Sequence, residues 1–140
     1  MSIDTDNVAP SARNVVCVDF DLTLVGWGSL ADIPEPLPGA VAAVRSLMAC
    51  GYEVVILTSR MSPTWWADYC AGHDIDPAAF GAVQRSIVER SLVRMGLGGL
   101  RVTAEKVPAL AYIDDRAVTF TGDWRETVSH LLPVAPGGSR

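Results

Sequence analysis

Three short runs of apolar residues stand out along the chain, and each is typical of a β-strand. They cover residues 15–20 (VVCVDF), 52–58 (YEVVILT) and 110–113 (LAYI). Because their apolar residues are nearly unbroken instead of alternating with polar ones, we expect strands that are buried on both faces, as in a parallel sheet. Two weaker runs, at residues 100–103 (LRVT) and 118–121 (VTFT), predict edge strands.

The segments between these runs have the pattern of amphipathic helices. Residues 38–50 begin with a proline, carry apolar residues at helical spacing and are followed by Gly51, which is typical of a helix end. Further helices are predicted around residues 63–71, from the Asp76 cap to about Gly96, and over residues 123–132. Strands that alternate with helices through right-handed crossovers predict an α/β fold, a three-layer sandwich around a mainly parallel, Rossmann-like sheet.

The length of 140 residues fits one domain of ordinary size. We place that domain at residues 14–132 and predict flexible tails at residues 1–13 and 133–140, which are polar or rich in proline and glycine. No apolar run approaches the ~18 residues that a membrane span needs, and the acidic start does not resemble a signal peptide. The three cysteines are widely spaced, which favours free thiols. We therefore expect a cytoplasmic protein without membrane association.

The charge balance restricts the partners that the protein attracts. With 11 basic and 16 acidic residues, the formal net charge is -5, so nucleic-acid binding would need a local basic patch. Lys106 is the single lysine of the sequence. An isolated lysine in a chain that otherwise uses arginine is a candidate for a specific role.

Polar residues follow each of the three strong strands at its carboxyl end. They are Asp19 and Asp21 after the first strand, Thr58, Ser59 and Arg60 after the second, and Asp114 and Asp115 after the third. Open α/β sheets bind ligands at the carboxyl ends of their strands, so we expect these residues to share one crevice. Crowded carboxylates repel one another unless a cation neutralises them, and oxygen ligands without His or Cys favour Mg²⁺ over zinc. Thr58 and Lys106 suit an anionic, phosphate-like substrate.

These residues resemble the sequence motifs of the haloacid dehalogenase (HAD) superfamily of phosphohydrolases. Residues 15–24 (VVCVDFDLTL) are similar to its first motif, an apolar strand followed by DxDxT. Residues 54–60 (VVILTSR) resemble the second motif, and Lys106 with residues 111–117 (AYIDDRA) resembles the third and fourth. Residues 112–124 (YIDDRAVTFTGDW) also resemble a group of very small bacterial and phage HAD proteins.

The resemblance implies a role for each of these side chains. Asp19 would be the nucleophile that forms an aspartyl-phosphate, and Asp21 would be the general acid and base. The phosphoryl oxygens would be held by Thr58, Ser59 and Lys106. Mg²⁺ would be bound by the carboxylates of Asp19 and Asp114 and by the backbone carbonyl of Asp21. Asp115 would lie beside these ligands or bind the metal through water.

The resemblance also bears on the substrate, because HAD enzymes that act on small metabolites usually carry a cap domain. Here only residues 25–37 follow the first motif before a helix begins, so no sizeable cap is expected. Capless members mostly serve macromolecules or are closed by a neighbouring subunit. The expected reaction is Mg²⁺-dependent hydrolysis of a phosphomonoester, with a nucleic-acid end or nucleotide phosphate as substrate.

Other functions compete with this expectation. A sugar-phosphate phosphatase closed by oligomerisation and a non-catalytic binding protein on the same fold are alternatives. A receiver-type signalling domain is disfavoured, because its acidic pair would be adjacent on the first strand. The roles of Trp27, Arg60 and Arg116 stay open, although Trp27 is the best placed of the four tryptophans to contact substrate.

Overall fold

A computed structural model describes residues 9–133 and contains a four-stranded, all-parallel sheet flanked by helices. The strands are β1 (Val15–Val18), β2 (Glu53–Leu57), β3 (Arg101–Thr103) and β4 (Ala111–Ile113). The helices are α1 (Ala40–Ala49), α2 (Ala67–Gly72), α3 (Pro77–Arg94) and α4 (Trp124–Val128). The predicted fold class, an α/β Rossmann-like sandwich without a large cap, is therefore confirmed.

The order of strands across the sheet is β3-β2-β1-β4. In β1, Val18 lies opposite Ile56 of β2 on one side and Ile113 of β4 on the other, so the carboxyl ends of the three strands are aligned. The chain moves outward from β1 to β3 and then crosses to β4 on the opposite side of β1. Ligand crevices form where the strand order reverses in this way, and here that point lies between β1 and β4.

Two apolar clusters hold the sheet in place. The larger joins alternate residues of the central strands to helices α1 and α3, and its members include Val16, Ile56, Val44, Val88 and Leu92. The smaller contains the intervening strand residues Val15, Cys17 and Val55, with Val107 and Ala109 packed against them. Because strand side chains alternate between faces, the two clusters account for the unbroken apolar runs in the sequence.

The ends of α3 and α1 follow local signals that the sequence carries. The carboxylate of Asp76 accepts a hydrogen bond from the N–H of Ala79 at 2.9 Å, and Pro77 occupies the first helical position. Gly51 follows α1 with a φ of 89°, and Gly96 follows α3 with a φ of 78°, which is the left-handed region that favours glycine. The predicted boundaries of these two helices are correct to within two residues.

Two predictions near the end of the chain are wrong. Residues 118–121 form no strand; instead the Thr121 hydroxyl donates to Glu126 at 2.8 Å, and Phe120 packs on Trp124 with ring centroids 4.8 Å apart. These contacts tie the segment to α4 and leave it unpaired with β4. Helix α4 is also shorter than predicted, with Asp123 as its N-cap and its last residue at Val128.

The predicted tails lie partly outside the described residues, which exclude 1–8 and 134–140. Within the first tail, Pro10–Ala12 form a 3-10 turn in which Ala12 is buried, so the packed structure begins before Asn14. Cys17, Cys50 and Cys70 are free thiols, and Cys50 is exposed. None of the helices within residues 9–133 has the length and apolar character needed to cross a bilayer.

Candidate functional site

A cleft of about 780 Å³ opens at the carboxyl ends of the strands. It includes the point between β1 and β4 where the strand order reverses. It brings together most of the residues singled out in the sequence: Asp19, Asp21, Ser59, Lys106, Asp114 and Asp115. Arg60, Arg116 and Trp27, whose roles the sequence left open, also line this cleft. Thr58 does not line it. The polar groups of three separate strands therefore meet at one place.

Three carboxylates form the centre of the cleft. Oxygen atoms of Asp19, Asp114 and Asp115 all lie within 4.8 Å of one another. The N–H of Asp19 donates to the carbonyl of Ile113 at 2.9 Å, which ties the end of β1 to the end of β4 just before the two aspartates. The parallel pairing of β1 and β4 is thus what brings these acids together.

The environment of Asp19 shifts its titration strongly. Burial disfavours the charged carboxylate and raises its pKa from 3.8 to about 7. The N–H of Phe20, which donates to Oδ1 at 2.8 Å, opposes this shift, whereas the nearby charges of Asp114 and Asp115 add to it. Asp19 is therefore a carboxyl group that changes its charge near neutral pH, a property that clusters at functional sites.

Thr23 connects the turn after β1 to Asp115 after β4, and it was not among the candidate site residues from the sequence. Its hydroxyl accepts a hydrogen bond from the N–H of Asp115 at 3.1 Å and donates to Oδ1 of Asp115 at 3.3 Å. It also lies 3.5 Å from Oδ2 of Asp19. The threonine of the DxDxT pattern was the signal that pointed to this residue.

A tight turn presents these groups after β1. The N–H groups of Leu24 and Val25 both donate to the carbonyl of Phe20, at 3.0 and 3.1 Å, so the chain folds back directly after the strand. Leu22 has a φ of 62°, a left-handed conformation that is uncommon for a residue with a side chain. Backbone strain of this kind tends to be retained at functional sites.

Asp21 is held by Arg60 and not by the carboxylate cluster. Nε of Arg60 donates to Oδ2 of Asp21 at 2.7 Å, and Nη2 donates to Oδ1 at 2.8 Å, which makes the ion pair bidentate. Both oxygens of Asp21 therefore accept hydrogen bonds from the same guanidinium. In this arrangement Asp21 lines the cleft with its side chain 20% exposed, and it is not a member of the group formed by Asp19, Asp114 and Asp115.

Arg60 itself is only 2% exposed and is satisfied on every side. Its remaining donors reach the carbonyl of Ser29 at 2.9 Å, the carbonyl of Leu30 at 3.3 Å and Oε1 of Gln84 at 3.2 Å. Its guanidinium also lies 5.3 Å from the ring centroid of Trp27. Arg60 thus connects the end of β2, the loop after β1 and helix α3, which single-residue reasoning from the sequence did not reveal.

The two residues between β2 and Arg60 differ in their placement. Thr58 is buried, and its hydroxyl accepts a hydrogen bond from the N–H of Arg60 at 3.2 Å, so it caps the short 3-10 turn Ser59–Met61. Ser59 lines the cleft. Of the two hydroxyls expected to hold a phosphoryl group, that of Ser59 is the one at the cleft surface.

Two further cations line the cleft without entering the carboxylate cluster. The ammonium of Lys106 lies 4.8 Å from the ring centroid of Tyr112, and none of the ion pairs among residues 9–133 includes this lysine. Arg116 is exposed and pairs weakly with Asp115, at 3.7 Å. Both residues are exposed, and cations exposed at a cleft attract an anionic ligand.

Aromatic side chains also line the cleft. Trp27, Trp65 and Trp66 line it, whereas Trp124 does not. Trp66 is anchored, because its Nε1–H donates to the carbonyl of Ser59 at 3.0 Å and its ring packs on Phe80. From the sequence, Trp27 was the preferred substrate contact among the four tryptophans, and the structure places Trp65 and Trp66 in the same cleft.

The carboxylate cluster is chemically suited to a hard divalent cation. Asp19, Asp114 and Asp115 offer oxygen ligands alone, and Mg²⁺ or Ca²⁺ prefers such donors to the nitrogen and sulfur ligands of zinc sites. Asp21 belongs to the tight turn after β1, and its backbone carbonyl is a further oxygen of the kind that such a cation binds. The residues present therefore fit the expected Mg²⁺.

The fold and the cleft define an α/β protein with an acidic site at the switch point of a parallel sheet. No protein-family profile and no curated protein matches the chain. A solved structure of a conserved protein from Bacteroides thetaiotaomicron is similar, with 18% sequence identity over 85% of this chain and 92% of that one, and a TM-score of 0.48. No function follows from that similarity.

Proposed function

We propose that the protein is a Mg²⁺-dependent phosphomonoester hydrolase in which Asp19 is the nucleophile. One observation carries the proposal: three carboxylates, one of them with a pKa raised to about 7, converge within 4.8 Å at the switch point of the sheet. The same cleft is lined by Ser59, Lys106 and Arg116, which suit a phosphoryl group. The HAD-like order of the motifs supports the same reaction.

The first step is attack on phosphorus by a carboxylate oxygen of Asp19. A bond forms between that oxygen and phosphorus, and the ester oxygen leaves with its electron pair and takes a proton from Asp21. Water then attacks phosphorus, gives a proton to Asp21 and breaks the bond to Asp19, which releases inorganic phosphate. Both oxygens of Asp21 accept hydrogen bonds from Arg60, so one of them must first leave the guanidinium and take up a proton from solvent before Asp21 can protonate the leaving oxygen.

Mg²⁺ would be held by Asp19, Asp114 and the backbone carbonyl of Asp21, with Asp115 adjacent, and would neutralise charge on the cluster and the phosphoryl group. Around it, Thr23 holds Asp115 in place through two hydrogen bonds. Lys106 would turn from the Tyr112 ring toward the incoming phosphate. Ser59, which lines the cleft, would donate to a phosphoryl oxygen.

The test is phosphate release from a panel of phosphomonoesters, namely nucleotides, oligonucleotide 3′- and 5′-phosphates and sugar phosphates, with Mg²⁺ and with EDTA. We expect Mg²⁺-dependent release that Asp19→Asn abolishes. Asp32→Asn is the matched control, because Asp32 is exposed and does not line this cleft. Equal rates for the Asp19→Asn variant and the wild type would remove Asp19 from the role of nucleophile.

Two alternatives remain as outcomes of the same experiment. If only sugar phosphates are hydrolysed, and the mass in solution shows an oligomer, the cleft is closed by a second subunit. If Mg²⁺ binds but no phosphate is released from any substrate, the fold serves as a binding protein, and the capture of Asp21 by Arg60 would be the structural reason.

A further inference from the structure

Two of the tryptophans that line the cleft are largely exposed to solvent. Trp27 is 55% exposed and Trp65 is 71% exposed, and both line the cleft that contains the carboxylate cluster. Indole rings are costly to leave in water, and contiguous exposed apolar surface typically marks a binding site. We call these two side chains the aromatic lip.

The aromatic lip is supported from behind. The guanidinium of Arg60 lies 5.3 Å from the Trp27 ring centroid, and the N–H of Trp65 donates to Oγ of Ser62 at 3.3 Å. Gly28, next to Trp27, has no room for a Cβ because the carbonyl of Asp32 is in contact at that position. These contacts restrict the backbone next to each tryptophan, and the Arg60 contact also restricts the ring of Trp27.

The lining of the cleft combines charged side chains with aromatic ones. Carboxylates and cations follow the strand ends, and the exposed Trp27 and Trp65 line the same cleft. The side-chain hydroxyls in the lining are those of Ser59 and Ser62, and the second of these already accepts from Trp65. A sugar would need several hydrogen-bonding partners at the mouth, whereas a flat heteroaromatic ring needs only a face on which to stack.

Resting on the proposed function, we infer that the substrate is a nucleoside monophosphate whose base stacks on the aromatic lip while its phosphate reaches the carboxylate cluster. Charge favours a single nucleotide over a long strand. The lining of the cleft has four acidic and three cationic side chains, and the formal net charge of the chain is -5. The cleft therefore offers no row of basic residues along which the phosphates of a long strand could bind.

The experiment measures binding calorimetrically in EDTA, where no turnover occurs, with adenosine 5′-monophosphate, adenosine and ribose 5-phosphate as probes. We expect the nucleotide to bind at least about tenfold more tightly than ribose 5-phosphate, because stacking on an aromatic side chain contributes about that factor. Trp65→Leu and Trp27→Leu should each remove most of that difference. Trp124→Leu is the matched control, since Trp124 is 70% exposed but lies outside the cleft.

Equal binding of the nucleotide and ribose 5-phosphate would overturn the inference, as would a loss in Trp124→Leu as large as in Trp65→Leu. A dodecanucleotide with a terminal phosphate that binds much more tightly than the mononucleotide would overturn the choice of a single nucleotide. If adenosine binding depends on the two tryptophans but no phosphomonoester releases phosphate, the aromatic lip is supported as a base-binding site. The proposal that the protein is a hydrolase is then refuted. The two proposals therefore fail separately.

Discussion

Arg60 and Asp21 form a bidentate ion pair across the cleft, with Nε to Oδ2 at 2.7 Å and Nη2 to Oδ1 at 2.8 Å. The arginine is 2% exposed and the aspartate 20%, so the pair is largely removed from water. A guanidinium that is buried to this degree needs its partners, because an uncompensated buried charge is costly. The pair thus fixes the direction of a side chain that the reaction would require to move a proton.

Replacing Arg60 is expected to be costly for stability. Arg60→Gln leaves Asp21 and two backbone carbonyls without their donor, so we expect the free energy of unfolding to fall by about 3 kcal/mol. Glu89→Gln is the matched control, because it removes an exposed ion pair of 3.8 Å to Arg85 and should cost less than about 1 kcal/mol. Urea denaturation measures both, and equal losses in the two variants would contradict the structural role.

A double-mutant cycle separates the ion pair from the other contacts of Arg60. Asp21→Asn combined with Arg60→Gln should lose less than the sum of the single variants, with a coupling energy of about 1 kcal/mol or more. Additive losses would mean that the bonds to Ser29, Leu30 and Gln84 account for the effect of Arg60.

The raised pKa of Asp19 predicts a pH-dependent stability in the absence of metal. Between its ordinary value of 3.8 and about 7, the unfolded chain loses this proton while the folded protein retains it. Asp19 therefore lowers the stability of the wild type progressively as the pH rises through that window, with no contribution below it. Asp19→Asn, which has no proton to lose, should gain stability over the wild type across the same window.

Urea denaturation in EDTA at about pH 5 and about pH 8 checks this prediction. The advantage of Asp19→Asn should be larger at the higher pH. Asp32→Asn, at an exposed position, is again the control. Its unfolding free energy should differ from that of the wild type by the same amount at both pH values. An advantage of Asp19→Asn that shrinks with rising pH would show that burial does not disfavour the charged form of this carboxylate.

Thr23 is expected to determine metal affinity without binding the metal. Thr23→Val removes the hydroxyl that bonds to the N–H and Oδ1 of Asp115, so the Mg²⁺ dissociation constant should rise about tenfold or more. Thr23→Ser keeps the hydroxyl and should stay close to the wild type. Calorimetric titration with Mg²⁺ gives the values, and an unchanged affinity in Thr23→Val would exclude this indirect role.

Lys106 is expected to affect turnover far more than stability. Its ammonium contacts the exposed ring of Tyr112 at 4.8 Å, a contact that contributes about 0.5–1 kcal/mol at an exposed site. If it serves the transferring phosphoryl group, Lys106→Met should lower kcat/KM at least about a hundredfold while Mg²⁺ still binds. Lys106→Arg, which retains the charge, should recover part of the rate. A Lys106→Met variant that unfolds earlier but turns over substrate normally would show a purely structural lysine.

The sequence by itself determined the layout of the fold. Unbroken apolar runs revealed the strands at Val15–Val18 and Glu53–Leu57, because burial on both faces of a parallel sheet leaves no room for alternating polar residues. Proline and glycine signals marked the limits of α1 and α3, since capping depends on neighbours within one turn. The parallel arrangement then put Asp19 and Asp114 at the same edge of the sheet, as the position of each after its strand indicated.

Only the tertiary structure decided which polar side chains bind to one another. The capture of Asp21 by Arg60 and the bond of Thr23 to Asp115 join residues that are far apart in the chain, and strand register and packing set those distances. The burial of Thr58 and the contact of Phe120 with Trp124, in place of a fifth strand, have the same origin. Local propensity is weak compared with such contacts, because each buried polar group needs a hydrogen-bonding partner and the tertiary structure decides which partner is within reach.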